Sequence, residues 1–566
     1  MKTQNFKRIL ACLLAVATLT GSALAASGTN SINALYNNIK VMVGGQETTL
    51  TDVNGNVVEP FIVDGTTYVP IRGAAEALGE TVSYNSDTNS VEIGNQEAPK
   101  YVFVFIGDGL SHVQTQLTNY YLDAMSQDAV APLAQDDIEV SADRDLSAIL
   151  TSTPQLTYMG FESTGITTTY DSTSFCPDSA STASSIATGN KTHSGAISVA
   201  EDLVTEYATM AEQMHDMGMK VGIVSSVTIN HATPAAFYAH DWSRDNYYDI
   251  GLDLIDSGFE YFAGGAINKP DNSGTATSIY TLAEQAGYTV VNADQAAAEK
   301  ITAADGKVII TGEDTNGGAL PYEFEREEDM WALSDYVSKG IEVLDNDNGF
   351  FMMVEAGKID WACHANDAYS AIGETIAFSN AIDEAVAFYN QHPDETLIIV
   401  TGDHETGGMT VGYVSTWYDT FLAQLSSQTG SYDTINATIT ADIEAGASFE
   451  TVLADIEAFC GLTTDAGEAL SLTDYEIAKL QTAYDVQFEG LELDAELSTE
   501  LYGGYKPVAI TVMTLMNNKS GVDFTSTSHT GVTVGTYAQG VGSELFNGFY
   551  DNTDIYNNVA QIMGLN

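Results

Sequence analysis

Runs that are apolar at every position recur along the chain, separated by stretches of helical pattern. Tyr101-Val102-Phe103-Val104-Phe105-Ile106 is the clearest of them. A strand with one wet face would alternate apolar and polar residues. An unbroken run instead predicts a strand covered on both faces, as in a parallel sheet. Val221 to Val227, Phe350 to Val354 and Thr396 to Val400 repeat the pattern, with helical stretches such as Ile372 to Tyr389 between them. This alternation predicts an α/β fold with a mainly parallel central sheet between helices. Ligands of such folds bind beyond the carboxyl ends of the strands.

Two regions depart from that pattern. Residues 32–95 form a small α+β unit of short strand-like pieces (Lys40 to Val43, Pro60 to Val63, Thr67 to Val69), then a helix from Arg72 to Leu78 and a strand through Ser90 to Ile93. Asn54-Gly55 and Asp64-Gly65 mark turns, and Gly79 is placed to cap the helix. Residues 95–100 read as a linker, so the larger domain is expected over residues 100–566. Within it, residues 417–515 read mostly as helices (Ala437 to Ala445, Phe449 to Phe459, Asp474 to Tyr484). They lie between two motif-bearing segments, which predicts a helical insertion suited to a lid.

The first 25 residues read as a signal peptide. Lys2, Lys7 and Arg8 precede an apolar stretch from Ile9 to Leu19, and Ala23-Leu24-Ala25 fits a cleavage site before Ala26. The apolar stretch is short for a membrane span of about 20 residues. No later segment is long and apolar enough to span. The expected location is therefore secreted or at the cell surface, with no integral span after signal removal.

Charge narrows the partners. Among 566 residues there are 19 Lys+Arg and 78 Asp+Glu, a net charge of −59. Such a surface repels nucleic acid and anionic membranes. It also repels phosphate esters, so a phosphate site would need local positive charge from metal ions or a placed arginine. Of four cysteines, Cys12 leaves with the signal. Cys176, Cys363 and Cys460 are too few and too far apart for a disulfide framework, and buried thiols are expected, with one bridge left open.

Each apolar run ends in polar residues that suit metal ions. Gly107-Asp108-Gly109 follows the first. Glu355 through Asp360-Trp361-Ala362-Cys363-His364 follows another, and Thr401-Gly402-Asp403-His404 another. The Val221 run leads to His231-Ala232-Thr233-Pro234, His240 and Arg244. Zinc takes imidazole and carboxylate together, whereas magnesium takes oxygen. Asp360 and His364 are one helical turn apart. Each motif alone is an ordinary turn, loop or helix face; the specificity lies in their succession at strand ends. Asp178-Ser179-Ala180 precedes a small-residue helix that ends at Gly189. Alone, Ser179 would be an N-cap. At a helix N-terminus, near metal ions, it is also a candidate nucleophile.

These residues carry a resemblance. From Tyr101 onward the chain resembles the alkaline phosphatase family in Ile106 to Leu110, Asp178-Ser179-Ala180 through Thr192, and His231 to Ala236. Further matches are Glu355 to His364, Ile372 to Thr375, Gly402-Asp403-His404 and Thr527-Ser528-His529-Thr530-Gly531, whereas the helical insertion matches poorly. The resemblance implies an alkaline phosphatase-like fold and a hydrolase acting on small phosphomonoesters through a phosphoserine on Ser179. It implies two zinc ions, one on Asp360, His364 and His529 and the other on Asp108, Asp403 and His404. It implies one magnesium ion on Asp108, Thr233 and Glu355, and Arg244 gripping phosphate.

His240 matches a supporting position. His231 stands where some members carry Asp, and Trp361 where several carry Lys or His. The first bears on magnesium binding, the second on substrate preference and pH optimum. Related phosphodiesterases stay open as an alternative. A sulfatase fits less well, because Cys176 to Ala180 lacks the arginine of the sulfatase motif. A decayed surface protein would be expected to have lost ligands that are all present here. Residues 32–95, through Asp64 to Arg72 and Glu76 to Gly79, resemble the copper amine oxidase N-terminal domain of bacterial secreted proteins. With no His or Cys in this segment, copper binding is not expected, and cell-wall contact is the role it allows. The resemblance also allows a homodimer.

Overall fold

The computed structural model describes residues 34–126 and 152–565, apart from residues 44, 53–55, 79–81, 86–89, 95–97, 314 and 315. The expected signal peptide, the Asn54-Gly55 turn and the Gly79 cap lie outside the described residues. The chain divides between residues 97 and 98 into two compact units.

In the larger unit the described residues form a ten-stranded sheet. In chain order its strands are β1 (Tyr101–Gly107), β2 (Ser163–Thr168), β3 (Lys220–Ser225), β4 (Tyr261–Gly264) and β5 (Thr289–Asn292). They continue with β6 (Val308–Thr311), β7 (Phe350–Ala356), β8 (Thr396–Gly402), β9 (Val534–Gly540) and β10 (Gly548–Asp551). Their spatial order is β5-β6-β4-β3-β7-β1-β8-β9-β2-β10. Pairing is parallel throughout except at β9, which runs against β8 and β2.

The apolar runs explain this arrangement. β1 is buried along its whole length. Tyr101, Phe103 and Phe105 enter one apolar cluster, and Val102, Val104 and Ile106 enter another on the opposite face. Each large side chain so buried stabilises the fold by roughly 1.5–3 kcal/mol. Register then places the site. Ala356 of β7 and Gly402 of β8 both lie beside Gly107 of β1, and Ser225 of β3 lies beside Glu355. Asp108, Glu355 and Asp403 therefore emerge together at one carboxyl edge of the sheet. A Cβ on Gly402 would lie 1.9 Å from the Leu110 carbonyl oxygen, so only glycine lets these strand ends approach.

Five α-helices lie between β8 and β9: Tyr432–Glu444, Phe449–Cys460, Asp474–Phe488, Ala495–Tyr502 and Pro507–Ser520. Ile435, Ile439, Val452, Ile456, Leu480, Val512 and Met516 bury their side chains in a third apolar cluster. The first helix starts at Tyr432 rather than at the expected Ala437, because Ser431 accepts the Thr434 N–H and caps it. The last begins on Pro507, whose missing N–H costs nothing at that position.

Among its described residues the smaller unit contains three two-stranded pairs, Val41–Val43 with Gln46–Thr48, Phe61–Val63 with Thr66–Tyr68, and Val82–Asn85 with Ser90–Ile93. Its helix spans Ile71–Glu76. Asp64 and Gly65 take φ of 48° and 83°, the left-handed pair that a tight hairpin needs.

Candidate active site

Ser179 opens the helix Ser179–Thr188, every residue of which is buried. Nine of its ten side chains are Ser, Ala or Thr, small enough for neighbouring elements to enclose the helix. The N-cap is Asp178, whose carboxylate accepts the Ser181 N–H at 3.1 Å, so Ser179 is not spent on capping. Its hydroxyl is free to face the site. Ser179 Oγ lies 3.1 Å from His404 Nε2 and 3.4 Å from Asp108 Oδ1.

The β1 and β8 ends hold the carboxylates around it. Asp403 Oδ1 accepts the Gly109 N–H at 3.1 Å and the His404 N–H at 2.8 Å, while its Oδ2 accepts the Thr182 hydroxyl at 3.1 Å. Asp108 Oδ2 accepts the Thr233 hydroxyl at 3.2 Å. Glu355 accepts a short hydrogen bond from Ser225.

A second cluster adjoins the first. Asp360 and His364 share the helix Lys358–His364, and Asp360 Oδ2 lies 3.3 Å from His364 Nε2. His529 arrives from far along the chain, with Nε2 3.5 Å from Asp360 Oδ1 and 3.1 Å from His364 Nε2. Nδ1 of His364 donates to the Thr527 carbonyl at 2.7 Å, and Nδ1 of His529 to the Pro177 carbonyl at 2.6 Å. Those bonds orient each ring so that its Nε2 faces into the cluster.

Arg244 Nη1 donates to Asp178 Oδ2 at 3.0 Å, and Nη2 lies 3.3 Å from His231 Nε2. The His231 ring meets Trp361 edge-on at 6.3 Å between centroids. His240 makes its contacts elsewhere, with Glu212 at 2.9 Å and the Ser198 carbonyl at 3.0 Å.

Electrostatics agree with a site built for cations. Burial pushes the carboxyl pKa of Asp108 well up, and Asp403, Asp360 and Glu355 push it further. Burial raises Asp403 to about 7, helped by Asp360, and raises Glu355 to about 8. Burial works against ionisation of Asp360 too, but His364 and His529 hold it well below the usual carboxylate range. Burial, then Arg244, lowers His231 to about 3, so its imidazole is neutral.

Among the described residues, three groups of ligand atoms converge within 4.8 Å of one another: Asp360 with His404 and His529, Asp108 with Asp403 and His404, and Asp108 with His231 and Glu355. Glu355 Oε1 and His231 Nδ1 are buried without a hydrogen-bond partner. Buried acids crowded together and polar atoms left unpaired fit bound metal ions.

Sequence reasoning overlooked the partners of these residues. Asp178 orients Arg244, and its position beside Ser179 was the available signal. Thr182, Ser225 and Thr406 carried none, because each acts through folding alone. One cysteine also differs from expectation. Cys176, Cys363 and Cys460 are all free, and Cys176 is exposed rather than buried.

The chain resembles known proteins along most of its length. The alkaline phosphatase family model matches residues 99–262 and 276–565. The copper amine oxidase N-terminal domain model matches residues 18–93 and 51–118. The chain is similar to alkaline phosphatase 3 of Bacillus subtilis, 28% identical over 480 residues that cover 84% of this chain and 91% of that protein. Alkaline phosphatase 4 of the same organism is 30% identical over 424 residues, covering 72% of this chain and 82% of that protein. Among solved structures, the cold-active alkaline phosphatase of Shewanella sp. superposes with a TM-score of 0.64 at 25% identity, over 82% of this chain and 99% of that one. The Thermus thermophilus alkaline phosphatase, at 21% identity and a TM-score of 0.66, shares the fold over 83% of this chain and 92% of that one.

Proposed function

The chain belongs to the alkaline phosphatase family, and on that premise we propose that it is a secreted hydrolase of phosphate monoesters that works through phosphorylation of Ser179. The observation that carries this reading is the placement of Ser179 Oγ between His404 and Asp108 at the first turn of a buried helix. That position favours a developing alkoxide and an incoming phosphate, because it lies at the positive end of the helix dipole.

Asp360, His364 and His529 would hold one zinc ion, and Asp108, Asp403 and His404 a second. Asp108, Thr233 and Glu355 would hold magnesium, with His231 at its border. Bound there, the ions supply Lewis acidity toward the phosphoryl oxygens and lower the pKa of water toward neutrality. The imidazole of His231 suits magnesium less well than a carboxylate, since magnesium takes oxygen ligands.

The chain's own groups then act in order. Arg244, held by Asp178, keeps further N–H groups for the phosphate oxygens. Ser179 Oγ bonds to phosphorus as the bond to the alcohol oxygen breaks and the alcohol leaves. Water next cleaves the Oγ–phosphorus bond, releasing inorganic phosphate and restoring the hydroxyl. No step needs an oxidant or a second substrate besides water.

Secretion rests on the N-terminal signal pattern and on the match to a domain of secreted bacterial proteins. Among the described residues no helix is long and apolar enough to cross a membrane. The domain division at 1–25, 32–95 and 100–566, wall contact through the small domain, and a homodimer belong to the same proposal.

Two measurements test the chemistry. Turnover of an aryl phosphate monoester is expected to exceed that of the matching diester clearly; diester preference would overturn the reading. Arg244→Lys keeps the charge but loses the two-pronged geometry. It is expected to lower kcat/KM by roughly 10–100-fold, with much of the change in KM and in inhibition by phosphate. Unchanged inhibition would remove Arg244 from the phosphate site.

A further inference from the structure

Glu405 follows His404 and lies outside the proposed ligand sets. Its side chain is 1% exposed. Its two oxygens accept four hydrogen bonds drawn from three parts of the chain. Oε1 takes Gln114 Nε2 at 2.9 Å and the Met409 N–H at 3.2 Å. Oε2 takes the Gly408 N–H at 3.1 Å and a short bond from the Thr530 hydroxyl. All four acceptor positions of the carboxylate are thus used.

The donors are themselves held. The Gln114 carbonyl oxygen accepts the Ser111 N–H at 3.0 Å and the Ser111 hydroxyl at 2.6 Å, which sets the direction of its NH2 group. That NH2 also donates to the Thr406 carbonyl at 3.2 Å. Gly408 has φ of 60°, and a Cβ there would lie 2.0 Å from Thr525 Oγ1, so the turn after Glu405 is close-packed.

What Glu405 joins matters more than its own satisfaction. Glu405 and Thr406 form a two-residue antiparallel ladder with Thr530 and His529. The ladder brings His404 and His529, 125 positions apart, into stacked contact at 3.6 Å between ring centroids. Thr406 within it donates to Asp360 Oδ1 and lies 3.3 Å from His404 Nδ1. A two-residue ladder has few backbone bonds, so side chains must hold its register. The carboxylate of Glu405 bonded to Thr530 does so directly.

We propose that Glu405 is a positioning residue which, through Thr530, fixes His404 and His529 relative to each other and so pre-organises the zinc ligands. This rests on the reading that those residues bind zinc. Glu405→Gln replaces one acceptor oxygen by an NH2 group, which then faces donors on one side. Partners of metal ligands typically change metal affinity by about 10–100-fold when removed.

The test measures zinc affinity of the whole protein by competition with a chromogenic chelator, alongside kcat at limiting and at excess zinc. Glu405→Gln and Thr530→Val are each expected to weaken zinc binding by about 10–100-fold, Thr530→Ser to restore it, and the double variant to be no worse than the weaker single one. Activity should recover in excess zinc with KM unchanged. If Glu405→Gln fails to fold, Thr530→Val decides alone. Wild-type binding with unaltered affinity in the folded variants overturns the inference alone, even where their Tm falls. A wild-type chain that takes up no zinc overturns the metal reading, and the inference with it.

Discussion

Ser179→Ala is expected to lower kcat by at least about a thousandfold while leaving the fold intact. The side chain sits at the first position of its helix, and Asp178 does the capping, so the loss of the hydroxyl removes no cap. Alanine also suits the helix interior at least as well as serine. The lost contacts are those to His404 and Asp108. The variant should therefore keep its Tm within a few degrees and still bind zinc. The measurement is single-turnover reaction with a labelled monoester, quenched in acid. Wild type should carry label on Ser179, and the variant none. A Ser179→Ala protein with full turnover, or wild-type label on another residue, would remove Ser179 from the chemistry. An Asp178→Ala comparison separates the roles: it should lower stability through the lost cap and weaken phosphate binding through Arg244.

Stripping the metal ions should abolish activity and make stability fall as pH rises. In the ion-free protein, burial raises the pKa of Asp403 to about 7 and of Glu355 to about 8, and that of Asp108 well up. A carboxyl group with a raised folded pKa holds its proton more tightly when folded than when unfolded. Its contribution is complete below the ordinary carboxylate range and is lost as pH climbs through the folded value. His364 adds to the same trend: burial opposes its charge, but Asp360 holds its pKa at about 9, so this stability is lost between the ordinary histidine value and about 9.

Asp360 acts in the opposite sense only as pH falls below the carboxylate range, and His231, at about 3, and His404, also lowered by burial, do so only below the ordinary histidine value. The ion-free Tm should thus drop by several degrees between about pH 7 and about pH 9. Bound cations replace those protons, so zinc and magnesium should raise Tm more at the higher pH. Thermal melts of chelated and reloaded protein at both pH values check this, together with recovery of activity on add-back. An ion-free Tm that rises with pH would contradict the electrostatics.

Much of this protein was legible in its residues. An unbroken apolar run such as Tyr101 to Ile106 has one comfortable place, a strand covered on both faces, and the α/β sheet followed from it. Asp108, Glu355 and Asp403 were legible for the same reason, since each directly ends or follows a buried strand. Asp360 and His364 were readable from one turn of helix. Helix ends were less so. The start at Tyr432 depends on a cap by Ser431, a bond that costs no residue type its ordinary look. Cys176 was misjudged because exposure of a lone thiol is set by the loop around it.

What the sequence by itself determined is local: which segments are strands or helices, and which residue types stand at their ends. The tertiary structure alone decided which of these meet. Strand register set Gly107, Ala356 and Gly402 side by side, and so made one carboxylate cluster of three separate motifs. The two-residue ladder at Glu405 and Thr406 brought in His529. Asp178 became the cap, which freed Ser179, the residue that alone would have been read as the cap. Contacts between distant segments depend on register and closure, which no spacing along the chain encodes. The physical reason is that side-chain periodicity specifies a face, whereas a site requires faces to be aligned in three dimensions.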